Sequence, residues 1–301
     1  MIFVWGLLED PTTRSVIDCL GKLSAPFAFV NHADVARTSI RHISDGAGSY
    51  RLSCGGASFD LAEISAAYLR PYDYRDYSDY VKPPDETTVP SREVLVHQTI
   101  GAWAECSPAR VINRPSAEAS NHSKLYQAAQ ICVAGFAVPE SLVTNDPAQV
   151  RDFQARHTTV VFKSISSVRS VVQTLDLQTL DAIGADAMGP VLFQRYVPGT
   201  NVRVHVVGAE AIACAIESDR VDYRYSEATR ISQTALPWEV AERCVTLTQR
   251  LGLLVAGLDL IVTPRGEWYC LEVNPNPAFS AFELSDSYSI ASKVARMLTA
   301  Q

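Results

Sequence analysis

Apolar positions along this chain follow two periods, and their alternation predicts the order of its elements. Ile2 to Trp5, Phe27 to Val30 and Ala66-Ala67-Tyr68-Leu69-Arg70 are short, continuous apolar runs of the kind that form buried strands. Between the first two, Pro11 suits a first helical turn and leads into Ser15-Val16-Ile17-Asp18-Cys19-Leu20. Tyr50-Arg51-Leu52-Ser53, a Cys54-Gly55-Gly56-Ala57 turn and Ser58-Phe59-Asp60 predict a hairpin. A polar, tyrosine-rich stretch then runs through Pro83-Pro84. Ser91 to Cys106 predicts a helix, and Arg110-Val111-Ile112-Asn113 the strand after it.

The spacing changes to a long helical pattern over Ala117 to Ala134, with Leu125, Ala128, Ala129, Ile131 and Cys132 on its stripe and Gly135 as its stop. A strand at Ser141 to Thr144, a helix opening near Asp146-Pro147 and a strand at Thr159 to Lys163 follow. From Val191 the pattern is strand-rich: Val191 to Val197, Val202 to Val207, Ala211 to Ile216. A helix over Trp238 to Leu251 precedes a last hairpin, and a terminal helix covers Ser289 to Leu298. The reading is an α/β chain of α+β lobes: residues 1–112, 113–192 and 193–301, with a cleft between the last two. No internal repeat interrupts it.

Composition narrows the function classes. At 301 residues, 47% hydrophobic and 20% charged, the chain has the make-up of a globular protein. Its net charge of −7 disfavours sequence-independent nucleic-acid binding, which requires a basic surface. No apolar stretch approaches the roughly 20 residues of a membrane span. Seven cysteines without a CxxC pair and six histidines without HxxxH spacing give neither a disulfide framework nor a zinc site. A reducing cytoplasm fits best.

The most informative chemistry lies at the last hairpin. Asp259 sits in the apolar run Ala256 to Val262; Thr263-Pro264-Arg265-Gly266 is a turn, and Glu267 to Asn274 returns. Side chains alternate along a strand, so Glu272 and Asn274 share a face, and the hairpin brings Asp259 towards them. Three hard oxygen donors suited to Mg²⁺ then converge, within strands where a carboxylate needs a cation or partner. Four more segments fit a phosphate enzyme. Asn121-His122-Ser123-Lys124 puts Lys124 in the first turns of a helix. Lys163 leaves an apolar strand into the hydroxyl-rich run that begins with Ser164, a composition suited to cradling phosphate. Gln194-Arg195-Tyr196-Val197 can offer backbone groups to an adenine edge, and Arg203 lies among valines, where a buried guanidinium needs an anion. Asp222-Tyr223-Arg224 lies in a polar loop that can face a substrate or simply pair with itself.

In this order and combination, the helix lysine, strand-end lysine, Gln-x-Tyr-Val hinge, Asn-x-Arg strand, Gly-Leu-Asp-Leu and Glu-Val-Asn-Pro-Asn resemble the ATP-grasp ligases over residues 110–300. Within that superfamily the chain is most similar to the ligases that macrocyclise graspetide (microviridin-type) precursor peptides. That narrower likeness rests on Val111-Ile112-Asn113-Arg114-Pro115, the stretch Gly135 to Pro147, Asp222-Tyr223-Arg224, and an aromatic-x-Arg motif at Tyr68-Leu69-Arg70. Ribosomal-protein glutamate ligases and glutathione synthetases are more distant. The resemblance implies a three-lobed ATP-grasp fold with ATP between the central and C-terminal lobes. It implies Lys124, Lys163 and Ser164 on the ATP phosphates, Gln194, Arg195, Tyr196 and Val197 on the adenine, and Asn201 near the ribose. Asp259, Glu272 and Asn274 would hold two Mg²⁺, Arg203 and Lys163 would be catalytic, and Arg70, Asp222 and Arg224 would meet the substrate.

The implied activity is ATP-dependent ligation through an acylphosphate: side-chain ester or amide crosslinking of a ribosomally made peptide. Two alternatives stand beside it, a carboxylate–amine ligase on free amino acids or a small metabolite, and a nucleotide-binding protein with a decayed site. The partner is then a peptide or small carboxylate, with no nucleic acid or membrane, and a homodimer is left open. The chain departs from the family pattern at Arg195 and Asn201, where acidic residues are common, in the serines after Lys163, and at Pro277-Ala278-Phe279, where graspetide enzymes carry Gly-Gln-Trp.

Overall fold

The computed structural model describes residues 1–43, 49–54, 57–71, 92–164, 173–176, 191–218, 228–284 and 289–300. The chain gathers into two compact units, one of Met1–Glu118, Leu253–Val255 and Ala278–Gln301, the other of Ala119–Gly252 and Ala256–Pro277.

The first unit opens with β1 (Ile2–Gly6), α1 (Pro11–Lys22) and β2 (Phe27–Asn31). A three-stranded antiparallel sheet of β3 (Ser39–Ile43), β4 (Ser49–Cys54) and β5 (Ala57–Asp60) follows. Then come β6 (Ala66–Arg70), α2 (Arg92–Cys106), β7 (Arg110–Ile112) and the short α3 (Pro115–Glu118). The main sheet has the order β2-β1-β6-β7 and is parallel throughout. Every residue of β1 and β6 is buried, as parallel strands require when both faces are covered. One face packs Phe3, Trp5, Ala67 and Leu69 against Val96, Ile100 and Trp103 of α2.

Two side chains tie up the ends of these elements. Asp10 caps α1, accepting from the Thr13 amide at 3.0 Å and its hydroxyl at 2.8 Å, and also takes Arg70 Nε at 2.7 Å. Burial alone would raise the Asp10 pKa, but the Arg70 charge and the Thr13 donors outweigh it and hold the carboxyl below its usual range. Arg114 donates to the carbonyls of Ala104 and Glu105, which the end of α2 leaves without helical partners, and to those of Ser107 and Ala109 in the loop that follows.

In the second unit, a 3₁₀ turn (Ala119–His122) leads to α4 (Lys124–Val133), β8 (Ser141–Thr144), α5 (Pro147–Arg156), β9 (Val160–Ser164), β10 (Gln173–Thr174) and β11 (Val191–Arg195). Next are β12 (Thr200–Val207), β13 (Glu210–Glu217), β14 (Arg230–Thr234), α6 (Trp238–Arg250), β15 (Val255–Val262) and β16 (Trp268–Asn274); α7 (Ile290–Thr299) belongs to the first unit, where it packs on α1. The helix expected over residues 117–134 is interrupted, because Ser123 accepts from the Tyr126 amide at 3.2 Å and starts a new helix at Lys124. One sheet of this unit has the order β10-β9-β11-β8, the other β14-β13-β12-β15-β16. Val150 and Phe153 of α5 pack on Val160, Phe162 and Phe193 of the first. Among the described residues, no helix is long and apolar enough to cross a membrane.

The Asp10–Arg70 pair is nearly inaccessible, with side chains 5% and 8% exposed, so losing one partner strands the other. Asp10→Asn should cost about 3 kcal/mol in denaturant unfolding at pH 7. Because the Asp10 pKa is depressed on folding, its contribution is complete above the unfolded carboxyl pKa and fades as pH falls below about 4. The stability gap between wild type and variant should therefore narrow progressively as pH falls below about 4.

Candidate functional site

Strand register builds the site. Asp259 of β15 lies directly opposite Glu272 of β16, and Gly257 opposite Asn274, with a local irregularity between Asp259 and Leu260. Alternation puts the side chains of Asp259, Glu272 and Asn274 on one face of the five-stranded sheet. β12 is the other neighbour of β15, and from it Arg203 donates Nη1–H to Asp259 Oδ1 at 2.8 Å. The arginine side chain is 7% exposed and the aspartate 31%, so the guanidinium is sunk in the sheet face while the carboxylate looks outward. Gly257 makes room for it: a Cβ there would lie 2.4 Å from Arg203 Nη2 and 2.7 Å from Pro277 Cβ. His205, fully buried two residues on, lies with Nε2 3.5 Å from Arg203 Nε.

A second cation reaches the same face from α4. Lys124 Nζ is 2.9 Å from Glu272 Oε1, and its side chain is 6% exposed. Gln127, one turn further on, fixes that geometry. Its amide donates to the Val273 carbonyl at 2.7 Å and its oxygen accepts from the Val273 N–H at 3.2 Å, pinning α4 to β16 beside Glu272. Sequence reasoning missed both Gln127 and Gly257. A polar residue on the buried side of α4, three places after the lysine, was the available signal for Gln127; Gly257 opens the Gly-Leu-Asp-Leu motif, but nothing in the local sequence marked why it must lack a side chain.

On the four-stranded sheet, Lys163 is buried and pairs in register with Leu192, on the face opposite the Val160 and Phe162 side chains that pack on α5. Ser164 lies opposite Val191. The rest of the hydroxyl-rich run lies outside the described residues. Along Gln194 to Val197, the Arg195 N–H bonds to Glu140 O at 2.9 Å and the Tyr196 N–H to Thr159 O at 3.0 Å. Gln194 donates its side-chain N–H to Ser141 Oγ at 3.0 Å. The Arg195 guanidinium lies 5.6 Å from the Tyr269 ring centre and donates to its hydroxyl at 3.3 Å, joining the hinge to β16. Asn201 is half-buried on β12, two residues before Arg203 and on the same face.

Arg70 is buried in the first unit on Asp10, and Asp222 and Arg224 lie outside the described residues. The buried cysteines near the hairpin are neutral thiols: burial pushes Cys244 up to about 12 and Cys270 well above its usual value. They offer no nucleophile.

A RimK-like ATP-grasp domain matches residues 121–298, more than half of the chain. The chain belongs to the RimK-like ATP-grasp family. A probable alpha-L-glutamate ligase of Enterobacter sp. (strain 638) is 32% identical over 111 residues, a match that spans 35% of this chain and only 36% of that relative. Among solved structures, macrocyclase MdnC bound with precursor peptide MdnA, from Microcystis aeruginosa MRC, superposes with a TM-score of 0.83 over 100% of both chains at 21% identity. The ATP-grasp ligase PsnB complexed with a minimal precursor, Mg and ADP superposes with a TM-score of 0.80, at 27% identity over 99% of this chain and 96% of that one.

ATP-grasp ligases bind ATP and Mg²⁺, and the hairpin face suits that charge. A carboxylate offers about four lone-pair directions, so one that accepts from a cationic side chain can still take part in binding a hard cation. Among the described residues no group of three or more His, Cys, Asp or Glu gathers into a metal site. Beside the two carboxylates, Asn274 could offer an amide oxygen to such a cation. Gly257→Ala tests the packing under Arg203. It should destabilise the protein by about 1–3 kcal/mol in chemical denaturation and weaken nucleotide binding, because the added methyl must displace the guanidinium.

Proposed function

We propose that this chain is an ATP-dependent ligase that activates a carboxylate as an acylphosphate and joins it to a hydroxyl or amine. The substrate we propose is the side chains of a ribosomally made precursor peptide. The carrying observation is the charge arrangement on the sheet face: Arg203 on Asp259, Lys124 on Glu272, with Lys163 buried on its own strand. The likeness to PsnB and MdnC, both solved with precursor peptides, supports the peptide reading.

In this reading Asp259, Glu272 and Asn274 would hold two Mg²⁺, which when bound would supply the positive charge that screens the phosphates and polarises the γ-phosphoryl group. The remaining work is done by the chain's own groups. Lys124, Lys163 and the Ser164 segment bind phosphate oxygens. Arg195 and Tyr196 spend their N–H groups on the scaffold, and among the described residues the Val197 N–H is not taken up, which leaves it for an adenine ring nitrogen. Asn201 reaches the ribose. Arg203 sits where its fork can hold the transferring phosphoryl group and then the oxyanion formed when the acceptor attacks. No side-chain nucleophile is required. Arg70, Asp222 and Arg224 remain the proposed substrate contacts, the three lobes the proposed division of labour, and the cytoplasm the proposed location.

Asp259→Asn should lower ATP turnover by about 100-fold or more in protein that is still folded at the assay temperature, even though stranding Arg203 lowers its stability. Unchanged turnover would remove the metal assignment. Hydroxylamine added during turnover should be converted to a hydroxamate of the substrate; turnover without hydroxamate would contradict the acylphosphate. The similarity to a glutamate ligase supports a second reading, addition of a free amino acid. Mass spectrometry separates the two, since crosslinking within one peptide loses one water per bond and ligation to a second molecule adds mass.

A further inference from the structure

The first unit contains a cavity of about 440 Å³ that plays no part in the chemistry above. It opens at the carboxyl end of the parallel sheet. β1 and β6 are neighbours, and the chain leaves β1 towards β2 on one side and β6 towards β7 on the other. Such a divergence forms a crevice where parallel sheets bind ligands. Trp5 from β1, Leu69 and Pro71 from the end of β6, and His97 from α2 form its walls, and Glu118 of α3 closes it.

One acceptor there is unspent: among the described residues, the Glu118 carboxyl has no hydrogen-bond partner. The surrounding charges are already committed: Arg70 to Asp10, Arg114 to four carbonyls, and Glu105 to the Ser116 amide and hydroxyl. His97 meets His32 with its Nε2 at 2.6 Å, so one ring donates to the other. Among the described residues an anionic ligand would find no uncommitted guanidinium, whereas a cation would find the Glu118 carboxyl.

We propose that this cavity binds an alkylammonium group, with its apolar stem along Leu69 and Pro71 and its charge on Glu118. A lysine side chain of a peptide and a free amine carry the same group. Burial pushes the Glu118 pKa up to about 8, with the Arg70 charge pulling it the other way. Glu118 is thus mostly protonated in the free protein at pH 7, and an ammonium must drive its proton off to bind. An amine of ordinary pKa near 10.4 stays charged throughout.

Calorimetric titration of the full chain with n-butylammonium and with Nα-acetyl-lysine amide, in buffers of different ionisation heat, tests this. Binding should release close to one proton at pH 7 and almost none at pH 9, and the Nε-acetylated lysine probe should not bind. Glu118→Gln should weaken binding about tenfold or more and abolish the proton release. A lysine peptide binding more tightly than butylammonium assigns the group to a peptide; equal binding assigns it to a free amine. No binding of either probe, binding without proton release at pH 7, or undiminished binding by Glu118→Gln overturns the proposal. If that variant does not fold, the wild-type proton release decides alone. Neither ATP nor turnover is involved, so the result is independent of the ligase reading.

Discussion

Two ion pairs on one sheet face, Arg203 with Asp259 and Lys124 with Glu272, set the demands that the surrounding structure meets. Both cations are nearly buried, and a buried charge without a counter-charge costs several kcal/mol. The carboxylates opposite them are only partly exposed and must be held apart from each other's field. Direct cross-strand register puts Asp259 and Glu272 side by side, an arrangement that would repel without a cation on each. The four side chains therefore balance one another's charge.

Much of the second unit holds that balance in place. Gln127 locks α4 to β16 through both backbone groups of Val273, which fixes the reach of Lys124. Gly257 leaves the space in which the Arg203 guanidinium lies. Packing of α5 on one face of the four-stranded sheet leaves Lys163 to the other face. In the first unit, Asp10 joins a helix cap to a buried arginine in the same way, so one carboxylate meets two structural demands.

Motifs with strong local chemistry were legible in the sequence. The spacing from Asp259 to Glu272 predicted a hairpin because a turn of Thr263-Pro264-Arg265-Gly266 stood between two apolar runs, and β15 and β16 pair there. The hairpin of β4 and β5 was legible for the same reason. Less was visible where local signals are weak. β3 and β14 are short, polar-rich edge strands with no apolar run, and pairing with a neighbour makes them strands. The break before α4 was hidden because Ala117 to Ala134 keeps helical spacing, and the Ser123 cap overrides it.

The sequence by itself determined the fold class, the strand hairpin that carries the acids, and the chemical types of the candidate site, because periodicity and turn residues act over a few positions. Tertiary structure alone decided which cation faces which carboxylate, that Gly257 must lack a side chain, and that Gln127 anchors the lysine helix. Each of these joins residues far apart in the chain, Arg203 to Asp259 or Gln127 to Val273. Only the packing of strands and helices brings them within hydrogen-bonding distance.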